Sequence, residues 1–75
     1  MKPTRLVIRI YMDNDAFQPT LTNQVSEVAR ILENFSNLIL DQPEVFRNSG
    51  EDPINLYDLN GHAVGEAFAE DYEGD

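Results

Sequence analysis

The 75-residue chain contains no cysteine. Disulfides, thiolate metal sites and cysteine nucleophiles are excluded with it. A small secreted domain usually needs such staples, so a cytoplasmic setting is expected. Bases are also scarce. Five Lys and Arg stand against 14 Asp and Glu, a net charge of −9. Nucleic-acid binding needs a basic footprint, so direct contact with DNA or RNA is not expected. No apolar run approaches the roughly 18–20 residues of a membrane span. The stretch "MKPTRLVIRIYMD" is too polar, and too short in its apolar part, for a signal peptide, and reads as a strand. One domain over 1–75 is expected, burying about 60–65 % of its unfolded surface.

The chemistry of catalysis is equally thin. His62 is the single histidine. It sits at a turn edge with only Asp58 close in sequence, which reads as a surface histidine. Ser26, Ser36 and Ser49 have no base at readable spacing. Asp13, Asn14 and Asp15 are adjacent rather than alternating, and no glycine or glutamate follows where a calcium loop needs one. No glycine-rich phosphate loop precedes the helix. No enzyme, metal or cofactor is expected.

What is present is patterned. In "RLVIRIYM" (5–12) the residues alternate, as in a strand. Leu6, Ile8, Ile10 and Met12 form an apolar set that should face the core. Arg5, Val7, Arg9 and Tyr11 take the other side. "DNDAFQPT" (13–20) is turn chemistry. The period then changes. Leu21, Val25, Val28, Leu32, Phe35 and Ile39 step by 4, 3, 4, 3, 4, a helical stripe that Ala29 and Leu38 widen. Thr20 or Thr22 can cap its start, and Pro43 stops it near Leu40 to Gln42. Ile31 and Leu38 flank the stripe, as core edge or as a strip for a partner. In "PEVFRNSGEDP" (43–53), Val45 and Phe46 fit a short helical turn plugging the end of the core. "NSGEDP" reads as a loop and a mobile segment.

Residues 54–59, "INLYDL", read as a second strand, and residues 62 to about 72 as a third. Asn60-Gly61 between them signals a two-residue type I′ turn, with φ > 0 at both centres. That turn fixes a register. Leu59 faces His62, Tyr57 faces Val64, Leu56 faces Gly65 and Ile54 faces Ala67. One face then carries Ile54, Leu56, Ala63, Gly65, Ala67 and Ala69, whose small side chains admit a helix. Gly65 is read as a packing residue beneath it. The other face carries Asn55, Tyr57, Val64, Glu66, Phe68, Glu70 and Tyr72, with Asp71 and Glu73 at the strand end. The fold expected is α+β: a three-stranded antiparallel sheet in β-α-β-β order, with one long helix on one face. Strand order 1-3-2 is preferred to 3-2-1, because strand three looks longest.

The acid is unevenly placed. Residues 1–33 balance four bases against four acids, whereas residues 34–75 hold ten acids against Arg47 alone. Such a surface attracts basic surfaces, including those that hold DNA or RNA, or it simply keeps a small protein soluble. With one helix, the second sheet face has no cover. Tyr11, Tyr57, Glu66, Phe68, Glu70, Asp71, Tyr72 and Glu73 are the candidate partner-binding residues there, since exposed aromatics are typical of interfaces.

Three blocks carry a family likeness. Asn14, Ala16 and Phe17, then Glu27 to Leu32, then Leu56, Asp58, Asn60, Gly61, Val64 and Gly65 match the patterns Asp-Asn-x-Ala-Phe, Glu-Val-Ala-Arg-Ile-Leu and Leu-x-Asp-x-Asn-Gly-x-x-Val-Gly. The chain thereby resembles a family of small, mostly uncharacterised proteins of phages, plasmids and bacterial genomes. The 41–53 connection and the acidic end extend beyond the pattern. The resemblance implies a phage or mobile-element protein in the host cytoplasm. Together with the acid, it leads to an expected inhibitor of a host nucleic-acid-binding defence complex, in the manner of anti-CRISPR and other DNA-mimic proteins. The alternative is a structural or accessory protein that self-associates, as a homodimer, through the open sheet face.

Overall fold

A computed structural model describes residues 3–71. Strand β1 (Arg5–Ile10) leads through a 3-10 turn (Asp15–Phe17) to helix α1 (Leu21–Asp41). A short helix α2 (Pro43–Arg47) follows, then β2 (Ile54–Tyr57) and β3 (Ala63–Glu70). The strands form one antiparallel sheet in the order β1-β3-β2, with β3 central. This is the α+β arrangement and the preferred strand order expected from the sequence.

The helix boundaries follow from local chemistry. The Thr20 hydroxyl accepts the Asn23 N–H at 3.1 Å, satisfying one of the orphan donors of the first turn. At the other end the Gln42 N–H reaches Leu38 O, and Pro43, unable to donate, starts α2 instead of extending α1. Val45 and Phe46 are half-buried, and α2 packs on both α1 and β3.

The 48–53 connection is anchored, contrary to the expectation of a mobile loop. Ser49 is fully buried. Its hydroxyl donates to Phe46 O at 2.6 Å and accepts the Ala69 N–H at 2.8 Å. The reason lies in the sheet. β2 begins at Ile54 opposite Ala67, so the next β3 amide facing that side, Ala69, has no strand partner. A buried unpaired amide is costly, and Ser49 satisfies it.

The hairpin departs from the expected register at its tip. Ile54↔Ala67, Asn55↔Glu66 and Leu56↔Gly65 pair as expected, but Tyr57 then pairs with Ala63, leaving Val64 as an extra residue. Among the described residues only Gly61 has positive φ, at 84°. Asp58 Oδ1 accepts the N–H groups of Asn60 and His62, and Asp58 O accepts Gly61 N–H. An Asp-led turn closed by Gly61 thus replaces the two-residue type I′ turn. The bulge reverses two side-chain assignments. Val64, expected outward, is buried in the core, and Ala63, expected beneath the helix, is exposed. Gly65 is required by a strand rather than by the helix. A Cβ there would overlap the Arg9 carbonyl oxygen and lie 2.9 Å from its carbon.

The core comprises Phe17, Ile31, Phe35, Ile54, Leu56, Val64 and Ala67. Phe17, placed by the sequence in a turn, is carried into the core by the 3-10 turn and is only 1 % exposed. The helix stripe is a further correction. Ile31 and Phe35 are buried, whereas Leu21 is 73 % exposed, Val25 58 % and Leu32 40 %. On β1, Leu6 and Ile8 are also exposed, as is Met12 beyond it. Helix α1 is therefore turned by about a quarter turn from the orientation its apolar stripe favours.

Candidate functional site

Three surfaces are candidate functional sites: the open sheet face, the end where the 13–20 loop and the hairpin tip meet α1, and the acid gathered near the end of α1. The converging end is built from the helix upward. Glu27 lies one turn before Ile31 on the buried side of α1 and is 6 % exposed. Its carboxylate accepts Arg30 Nε at 2.7 Å and Nη2 at 3.0 Å, and also the Leu59 N–H at 2.7 Å. Arg30 Nη2 lies 3.3 Å from Tyr57 O. Asp58, 4 % exposed, receives Asn14 Nδ2 at 2.8 Å, and Asn14 Oδ1 accepts the Ala16 N–H at 2.9 Å. Asn14, Glu27, Arg30, Asp58, Asn60 and Gly61 come from the three separate sequence blocks, and the fold brings them into one hydrogen-bonded clip.

The electrostatics of the clip follow from its donors. The Arg30 guanidinium holds the Glu27 carboxyl below its ordinary pKa, against the opposing effect of burial and with help from the Leu59 N–H. Arg30 is correspondingly raised by Glu27. Burial pushes Asp58 up. The His62 N–H, the Asn14 amide and the Asn60 N–H together outweigh that and hold it below its ordinary value. His62 Nδ1 stands 3.5 Å from Asp58 Oδ2, but its side chain is 74 % exposed. The Asp58 carboxylate is already committed to structural donors.

The open sheet face is assembled as the sequence indicated, except for Val64. Tyr11 and Tyr57 are exposed, and Glu66, Phe68 and Glu70 are partly exposed between β1 and β2. Arginines of β1 stand beside part of its acid, however. Glu70 pairs with Arg5, Arg9 stands opposite Glu66 in the register, and the Arg9 guanidinium lies 5.4 Å from the centre of the Phe68 ring. One Glu66 oxygen, Oε2, is buried without a hydrogen-bond partner. Asp71 is exposed at the strand end, while Tyr72 and Glu73 lie outside the described residues.

Besides Asp13, Asp15 and Glu33, exposed acid without an ion pair gathers where α1, α2 and β3 end. Asp41 closes α1, Glu51 and Asp52 occupy the turn after α2, and Asp71 follows β3; all are exposed. Ser49 ties that turn to β3. Among the described residues these four carboxylates make no ion pair, whereas Arg5, Arg30 and Arg47 are each taken by a glutamate. Sequence reasoning missed the 41–52 contribution because it followed the density of acid along β3, where Arg5 pairs with Glu70 and Arg9 stands opposite Glu66.

No protein-family model matches the chain, and neither curated proteins nor solved structures gave a match.

Proposed function

We propose that this is a small acidic, non-catalytic binding protein that occupies the basic surface of a host protein, a surface of the kind that otherwise holds nucleic acid. The observation that carries this reading is the acidic end. Asp41, Glu51, Asp52 and Asp71 are solvated and unpaired among the described residues, while the arginines elsewhere are largely spent on Glu27, Glu44 and Glu70. A patch rich in charge of one sign steers association toward the opposite sign. The phage or mobile-element setting, the host cytoplasm as the place of action and an inhibitory, DNA-mimic-like role against a defence complex rest on the motif resemblance together with the charge. No helix of the described residues is long and apolar enough to cross a membrane.

The test is capture of host proteins by the immobilised chain, beside a variant carrying Asp41→Asn, Glu51→Gln, Asp52→Asn and Asp71→Asn. Capture should fall with salt, with added DNA and with the neutralised variant, because exposed charge contacts are screened. Capture indifferent to all three would contradict the reading.

A further inference from the structure

The acidic end leaves the opposite flank of the molecule unexplained. Helix α1 leans toward β2, and Arg30, Asn34 and Leu38 line a groove with that strand. The other side of the helix therefore overlooks β1. Leu21, Val25 and Leu32 lie on that side, and Leu6, Ile8 and Met12 are exposed on or beside β1. These six large apolar side chains form the uncovered half of the helix–sheet layer. Exposed apolar side chains gathered on one side of a helix–sheet layer mark an interaction site.

We infer that this flank is the interface of a two-fold dimer, in which β1 pairs with β1 of a second copy and the uncovered flanks of the two α1 helices close over the joint. Four observations select a second copy as the occupant. The first is that β1 is an edge strand of six residues with no bulge on its ladder to β3. The other edge, β2, is four residues long, follows Pro53 and ends in a bulge. An unblocked apolar edge is a template for strand addition.

The second is the hydrogen-bond phase. The Tyr11 N–H bonds to Val64 O, so the antiparallel ladder turns odd-numbered β1 residues toward β3. The backbones of Leu6, Ile8 and Ile10 then face outward, ready to pair. The third is the register. Centring the pair on Ile8 sets Leu6 against Ile10 of the second copy, and Arg5 and Arg9 against Tyr11 and Val7. Centring on Val7 would set Arg5 directly against Arg9, which is unfavourable. The fourth is charge. All six exposed apolar residues belong to 1–33, where four bases balance four acids. Two chains of net charge −9 repel least through this neutral part.

The test is sedimentation equilibrium of the full chain over about a hundredfold range of concentration. A reversible dimer is expected. Ile8→Lys and Leu32→Glu should each weaken it at least tenfold while far-UV circular dichroism stays that of the wild type. Tyr57→Ser, on the opposite face, should leave it unchanged. Ile8→Cys, the chain's only thiol, should join two copies on mild oxidation, and Asn37→Cys, on an exposed helix position, should not. A wild-type monomer over the whole range would overturn the inference. So would a dimer that tolerates both charged substitutions, or one that Tyr57→Ser dissociates. The acidic-end reading stands or falls separately, because its four substitutions lie outside this interface.

Discussion

The two flanks of α1 are made of similar apolar material but end in different states. On the β2 side, Ile31, Phe35 and Leu38 meet Ile54 and Leu56, and Glu27 with Arg30 fastens the helix to the hairpin tip. On the β1 side, Leu21, Val25 and Leu32 meet solvent. A helix is about as wide as the span of three strands, roughly 10 Å, so a modest lean uncovers one edge. Hydrophobic attraction has no direction and cannot choose between the flanks. Hydrogen bonds to a buried carboxylate do have direction, and they select the β2 side. The polar clip thus sets the rotation of the helix, and the rotation leaves an apolar surface free for association.

The sharpest way to break this contrast is truncation on each flank. Phe35→Ala should cost about 4 kcal/mol and Ile31→Ala about 3 kcal/mol, by lost burial plus the cavity left behind. Against a total of roughly 5–10 kcal/mol for so small a domain, either should shift the urea midpoint severely. Glu27→Ala removes the acceptor of the Leu59 N–H and the partner of Arg30. A loss of about 2 kcal/mol is expected by the same measurement. Ser49→Ala strands the Ala69 N–H and should cost about 1–2 kcal/mol. Leu32→Ser, on the free flank, should change stability by no more than about 0.5 kcal/mol where the chain is monomeric. A Leu32 penalty equal to that of Ile31 would erase the distinction between the flanks.

Acid should act on the clipped flank first. Glu27 and Asp58 are both held below their ordinary pKa values in the folded chain. Their contribution is therefore complete above the unfolded carboxylate range, at about pH 5 and higher. It declines as pH falls below those ordinary values, and it is gone once pH passes the depressed folded values. Thermal melts from neutral to acidic pH should show that profile, and Glu27→Gln should flatten part of it.

Much of the fold was legible because local and global signals agreed. The 4, 3, 4, 3, 4 spacing gave α1, Pro43 gave its end, and the length of β3 placed it centrally. Three features were hidden for physical reasons. Asn60-Gly61 signals a two-residue turn, but Asp58 two residues earlier competes for the amides of Asn60 and His62, and its turn wins. Val64 then flips inward through the bulge. The rotation of α1 was hidden because Glu27, a charged residue, occupies the buried side, and binary patterning assigns such residues to solvent. The spacing of Glu27 to Arg30 together with the apolar Ile31, Phe35 and Leu38 was the signal that could have found it. As for the site, the open face and its aromatics were readable from alternation. The pairing of Glu70 with Arg5, and the placing of Arg9 opposite Glu66, depend on cross-strand register, which composition does not carry.

The amide of Leu59 reports on the clip most directly. Leu59 is 72 % exposed at a hairpin tip, where a free amide exchanges rapidly with solvent, yet its N–H is bound to the buried Glu27 carboxylate. Hydrogen exchange followed by NMR at neutral pH should show Leu59 protected in the wild type and released in Glu27→Ala. Rapid exchange at Leu59 in the wild type would contradict the claim that this contact sets the orientation of α1.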